Sequence, residues 1–154
     1  MTALVQRVLS ASVDIDGKRY YETKNGFLVL LGVNENDTKK EADFLCDKLV
    51  KLRVFEDENG KMNLSPQKLL EEGKTCEMMV VSQFTLCADC KGQNRPSFIH
   101  AAKPDIAIPL YEGFVDRLRN EYGFTVQTGV FGADMKVSLV NDGPVTIILD
   151  TDKL

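Results

Sequence analysis

Phe27-Leu28-Val29-Leu30-Leu31-Gly32-Val33 is apolar throughout, and Thr38-Lys39-Lys40-Glu41 follows after a short polar step. The first run is too short for a helix that buries one stripe, and its continuous apolarity suits a strand covered on both faces. The second has capping-box form: a threonine hydroxyl to take a free amide and a glutamate to reach back. Ala42, Leu45, Cys46, Leu49 and Val50 then recur at helical spacing, with Lys48, Lys51 and Arg53 expected in the closing turns, where cations favour the negative helix end. A fully covered strand feeding a one-faced helix is the beginning of an α/β domain.

Working outward, residues 2–9 and 12–15 read as strands, Asp16-Gly17 as a hairpin turn, and Lys18–Thr23 as the return strand. Asp57-Glu58-Asn59-Gly60 is a polar turn. Met78-Met79-Val80-Val81 is another buried strand. A second helix is expected over residues 106–121, with Pro109 in its first turn, a stripe of Ala107, Leu110, Tyr111, Phe114, Val115 and Leu118, and Gly123 as its stop. Residues 125–130, 136–141 and 145–149 read as closing strands. The order predicts a single α/β domain spanning 1–154, with mixed β-sheets and helices packed on one side.

Bulk properties narrow the function classes. With 154 residues, 44% hydrophobic and 27% charged, the chain suits one core. No apolar run approaches a membrane span, and the first residues lack a basic start followed by an apolar stretch, so a cytoplasmic protein with no membrane partner is expected. The net charge of −4 argues against a broad phosphate-wrapping groove but allows a small grip on one RNA end. Of the four cysteines, only Cys87 and Cys90 have metal-like spacing, with no second pair, and His100 is the sole histidine. Reduced thiols without a metal are expected, and no cofactor. Nothing marks His100 as a base for a serine or threonine nucleophile.

Three segments are unusual for plain scaffold. Ser82-Gln83-Phe84-Thr85-Leu86 places polar residues around one ring at the end of a buried strand; it could offer hydroxyls or exposed amides for an oxyanion, or simply bond local backbone. Asn141-Asp142-Gly143-Pro144-Val145-Thr146 is a rigid Gly-Pro corner between two expected strands, or an ordinary turn. Lys91-Gly92-Gln93-Asn94-Arg95-Pro96-Ser97-Phe98 could hold phosphates and stack a terminal base, or be a solvated loop. Phe131-Gly132-Ala133-Asp134-Met135 could line a pocket or cap the core.

Together these segments resemble the D-aminoacyl-tRNA deacylase family, also called D-tyrosyl-tRNA deacylases. The likeness includes Val5-Gln6-Arg7-Val8, Leu30–Val33, Phe55-Glu56-Asp57, Lys61-Met62-Asn63-Leu64-Ser65, Ser82–Leu86, Arg95–Phe98, Thr128-Gly129 with Phe131–Met135, and Asn141–Thr146. It runs in order along nearly the whole chain.

The resemblance implies a homodimer with active sites at the interface, acting on the 3′ end of D-aminoacyl-tRNA. It implies hydrolysis of the ester that links D-amino acids, and glycine, to tRNA, which proofreads chirality before translation. The catalytic segment is then Ser82, Gln83, Phe84 and Thr85, with amides near Gln83 and Phe84 stabilising the oxyanion. The terminal ribose 2′-hydroxyl of the tRNA assists, and Thr85 is either a nucleophile or a residue that only shapes the pocket, the second preferred because no base is available to activate it. Gly143 and Pro144, flanked by Asn141, Val145 and Thr146, would form a cis corner that enters the partner's site and collides with an L side chain. Arg7 is expected to help fix the partner's corner. Phe84 packs against the terminal adenosine, and Lys91, Arg95 and Phe98 are expected to contact tRNA.

The resemblance leaves two alternatives. A trans corner would signal the sister specificity for L-alanine mischarged to tRNA. Some animal members are linked to DNA replication origins through an extended C-terminal tail; this sequence stops soon after its last expected strand, so that role is not expected.

Overall fold

The computed structural model describes residues 1–154. The strands are β1 (Thr2–Ile15), β2 (Lys18–Thr23), β3 (Gly26–Gly32), β4 (Phe55–Glu56), β5 (Met62–Leu64), β6 (Glu77–Ser82), β7 (Thr125–Thr128) and β8 (Met135–Asp150). The helices are α1 (Lys39–Val50), α2 (Pro66–Glu71) and α3 (Pro104–Asn120). No helix is long and apolar enough to cross a membrane.

β1 organises the molecule. Its first half pairs with β3 and its second half with β2, while β8 runs antiparallel along its other edge. β3 and β6, and then β6 and β7, pair in parallel, so the sheet is mixed as expected. Alternation along β3 and β6 splits the apolar side chains between two cores. Phe27, Val29, Leu31, Met78 and Val80 meet the helices, whereas Leu28, Met79 and Val81 meet Val8, Ala11 and Val13 of β1. Covered on both faces, β3 has no need of polar residues.

Helix α1 begins as its capping box requires: the Thr38 hydroxyl accepts the Lys40 amide at 3.2 Å, and the Glu41 carboxylate accepts the Thr38 amide at 2.8 Å. Arg117 of α3 clasps Asp43 and Asp47 of α1 at 3.0 and 2.9 Å, tying the two helices side by side.

Several boundaries differ from the sequence expectations. Residues 2–15 form one strand, because the irregularity at Leu9 is a bulge: Val8 faces Asn141 and Ser10 faces Val140, leaving Leu9 unpaired and exposed. Helix α3 starts earlier, with Pro104 in its first turn, and Pro109 lies inside it. Arg53 falls beyond α1 and bonds to Asn63 instead of the helix end. Helix α2, capped by Ser65 with Pro66 in its first turn, lies outside the expected elements. The segment 135–150 is continuous, and the Gly143-Pro144 corner sits inside a strand.

Gly26 shows how tightly β3 meets β6. At φ +153°, a Cβ here would lie 1.9 Å from the Glu77 carbonyl oxygen. Gly26→Ala is expected to destabilise the fold by about 3 kcal/mol or more, combining strain with overpacking. Urea unfolding followed by circular dichroism would measure the loss, and an unchanged midpoint would contradict this packing.

Candidate active site

A cavity of about 280 Å³ opens where β6 ends. Ser82, Gln83 and Phe84 form one wall, Phe131–Met135 another, and Leu31, Val81 and Tyr111 lie among the apolar groups behind them. The strand ends here because the chain turns into a short 3-10 helix, Phe84–Cys87. Gln83 holds the junction: its amide donates to the Leu31 carbonyl at 2.8 Å. That amide is therefore not free for an oxyanion. The amides of Phe84 and Thr85 open the helical turn, where N–H groups have no partner in the preceding turn, and no side chain caps them. The donor pair suited to a developing negative charge shifts by one residue from the sequence expectation.

The side chains of this segment have unequal positions. The Ser82 hydroxyl is half-buried at the cavity wall. Thr85 is exposed, lies outside the cavity lining, and accepts the Gln83 side-chain amide at 2.5 Å. No base stands beside it. His100 lies away from this cavity, with Nδ1 3.0 Å from Glu35. The titratable side chains at the wall are Asp134, whose carboxylate pairs with Lys136 at 2.8 Å, and Tyr111, whose hydroxyl burial pushes up to about 12. The cavity thus offers fixed dipoles and no histidine.

Beyond the cavity mouth, Phe84 is 57% exposed and meets Phe98 edge-on, with ring centroids 5.0 Å apart. The loop that carries Lys91 and Arg95 is closed at its base by paired backbone bonds between Asp89 and Ser97, 2.8 and 2.9 Å. Lys91 and Arg95 are exposed and make no ion pair within the chain. The structure therefore brings Phe84 and Phe98 together, and carries Lys91 and Arg95 on the loop that ends just before Phe98.

The Gly-Pro corner is built elsewhere. Gln6 pairs with Thr146 and Val8 with Asn141, so one residue of β1, Arg7, faces four of β8, Asp142–Val145. The surplus loops outward, leaving Gly143 and Pro144 exposed. The Gly143-Pro144 peptide is cis, the isomer expected from the resemblance. Gly143 has φ +119°, and a Cβ on it would sit 3.0 Å from Val145 and 3.2 Å from Arg7, so glycine alone suits the position. The Gln6 side-chain amide lies across the base of the bulge, 3.4 Å from Asn141 and 3.5 Å from Thr146. Arg7, only 6% exposed, reaches the Asp142 carbonyl at 3.2 Å and its carboxylate at 3.0 Å. Arg7 therefore braces the corner of its own chain, because β1 and β8 are paired neighbours. None of Asn141–Thr146 lines the cavity of the same chain.

Comparison with known proteins identifies the family. The family model described as D-Tyr-tRNA(Tyr) deacylase matches residues 4–150. The chain belongs to the D-Tyr-tRNA(Tyr) deacylase family. It is 51% identical to the D-aminoacyl-tRNA deacylase of Flavobacterium johnsoniae, over 98% of this chain and 97% of that one. It is 55% identical to that of Geotalea uraniireducens, over 99% and 95% respectively. Among solved structures, one called c-Myc DNA Unwinding Element Binding Protein is similar at TM-score 0.86 and 40% identity, covering 97% of this chain and 98% of that one. A probable eukaryotic D-amino acid tRNA deacylase shares the fold at TM-score 0.78 and 18% identity, with coverage of 97% and 99%.

Sequence reasoning did not single out Tyr111 as part of this family member's site, since it fits the buried stripe of α3. Its ring lines the cavity, and its hydroxyl donates to the Val80 carbonyl at 2.8 Å, just before the strand end. Tyr111→Phe leaves a buried carbonyl without that donor and is expected to lower stability by about 1–3 kcal/mol. Urea titration of the pure protein checks this, and a variant as stable as the parent would show that the bond carries little.

Proposed function

We propose that this chain hydrolyses the ester joining a D-amino acid, or glycine, to the 3′ end of tRNA, as a homodimer in the cytosol. The observation that carries the proposal is the cavity itself: amides freed at the start of a 3-10 helix, at the end of a rigid strand, with no histidine beside them. Water adds to the ester carbonyl carbon, and the carbonyl oxygen takes up negative charge that the Phe84 and Thr85 amides stabilise. The tetrahedral species collapses by breaking the bond to the ribose oxygen, which leaves with a proton. The neighbouring ribose 2′-hydroxyl relays that proton, so the substrate supplies what the cavity lacks. Ser82 and Gln83 shape the wall, and Thr85 serves through its backbone rather than as a nucleophile.

Chirality is read by a second copy of the chain. The Gly143-Pro144 corner is exposed and rigidly braced, yet it lies outside its own cavity; inserted into a partner's, its carbonyls would face the α-amino group and Cα. An L side chain collides with them, while a D side chain or a hydrogen points away, which is rejection by steric penalty. Exposed apolar side chains on the two strands that carry the corner, Leu9, Val140 and Ile148, support a buried face there. Phe84 and Phe98 offer rings to the terminal adenosine, and Lys91 and Arg95 offer charge to nearby phosphates. With a net charge of −4, the grip on RNA is confined to these side chains.

Three measurements test the proposal. D-Tyr-tRNA should be deacylated while L-Tyr-tRNA is spared, and equal hydrolysis of the two would reject it. Thr85→Ala should retain most activity, since only its amide is used; abolition of turnover with binding intact would restore a hydroxyl nucleophile. Mixing Phe84→Pro chains, which lack one of the two oxyanion amides, with Gly143→Val chains, each inactive alone, should recover activity, because a mixed dimer contains one site with an intact cavity and an intact partner corner. No recovery after subunit exchange would place both elements in one chain's site.

A further inference from the structure

The Arg7 guanidinium has two anchors. One is Asp142, in the corner; the other is the Val54 carbonyl, which accepts from Nη1 at 2.5 Å. Arg7 thus sits between the corner and the strand that enters the β4–β5 hairpin. A buried guanidinium takes its place from its acceptors, so the position of the Val54 carbonyl is transmitted to Asp142 and Gly143.

The Val54 side chain is buried in the core, and Phe55 packs on Phe27 with centroids 5.1 Å apart. On the other side, Arg53 reaches across to β5, where its Nε donates to the Asn63 carbonyl at 2.9 Å and its guanidinium also donates to the Asn63 side-chain oxygen. The Asn63 side-chain nitrogen donates to the Asp57 carboxylate at 3.1 Å. Asp57 in turn fixes the hairpin tip by accepting the amides of Asn59 and Lys61 at 2.9 and 3.1 Å. Asn63 is therefore used as acceptor and donor at once, an arrangement that only a primary amide of this length fills. Aspartate could accept from Arg53 but would set a second carboxylate against Asp57.

We propose that Asn63 is a positioning residue for enantiomer discrimination: by clamping Arg53 it fixes the Val54 carbonyl that seats Arg7, and Arg7 seats the Gly143-Pro144 corner. The inference rests on the corner being the chiral gate. It assigns to the Lys61–Ser65 segment, which touches neither the cavity nor the corner, a role in telling D from L.

The test compares kcat/KM for D-Tyr-tRNA and L-Tyr-tRNA across four proteins, with thermal unfolding measured in parallel. Asn63→Asp is expected to narrow the D-to-L ratio by about tenfold, the scale of losing one hydrogen bond in a charged network. The exchanged pair Asp57→Asn with Asn63→Asp restores one donor and one acceptor in reverse order and should return the ratio to within about threefold of the parent, the coupling expected of contacting residues. Arg53→Lys, with one ammonium in place of the guanidinium fork, should narrow the ratio from the other end of the relay. A folded Asn63→Asp protein with the parent's ratio overturns the inference. So does an equal fall for both substrates that follows the loss of thermal stability, or failure of the exchanged pair to recover the ratio. Should Asn63→Asp not fold, an unchanged ratio in Arg53→Lys overturns it. A parent protein that fails to discriminate defeats the functional proposal itself; discrimination that survives all three variants defeats this inference alone.

Discussion

A single buried guanidinium sets the conditions for the rest of the structure. Arg7 lies on β1, the strand to which three others attach, and its charge must be met by acceptors inside the protein, since an unpaired buried charge is prohibitive. The acceptors come from two distant parts of the chain, Asp142 and Val54. Beside Arg7, β8 carries four residues where β1 has one. The exposed corner thus sits where a central strand resolves its one buried cation.

The cavity follows a matching logic. It has no histidine base, and its tyrosine is held protonated by burial. What remains is backbone: amides at the head of a 3-10 helix, fixed by the Gln83 amide on Leu31. Backbone dipoles need no reorientation as charge develops, which is where preorganised sites gain most. In the proposed dimer both halves of the chemistry, charge stabilisation and chiral rejection, would be carried out by main-chain atoms. Such a site would select by handedness rather than by side-chain shape.

The sequence revealed the parts with strong local signals. The capping box at Thr38, the apolar run of β3 and the stripe of α3 all reflect periodicity, and the structure keeps them. The family was legible because two specific segments occur at their proper separation. Other features depended on pairing between remote strands, which periodicity does not encode. Gly143-Pro144 read as a break between strands because a Gly-Pro step normally ends one; only the register with β1 shows it to be a bulge inside β8. Arg53 looked like a helix-terminal cation, and its bond to Asn63 depends on a hairpin ten residues long. The identity of the free amides could not be read at all, since it turns on which carbonyl Gln83 meets.

A gate made of backbone redistributes the protein's sensitivity to change. When a side chain discriminates, the residues that touch the substrate are the ones that matter. A carbonyl cannot be substituted, so selection by main chain shifts the burden to whatever holds the main chain still: the missing Cβ at Gly143, the guanidinium of Arg7, the carbonyl of Val54 and the clamp beneath it. Exposed residues outside the proposed interface have wide latitude by comparison, because surface changes away from such features are usually near neutral. The determinants of specificity would then lie in a chain of contacts running from the corner into the β4–β5 hairpin, most of it out of the substrate's reach.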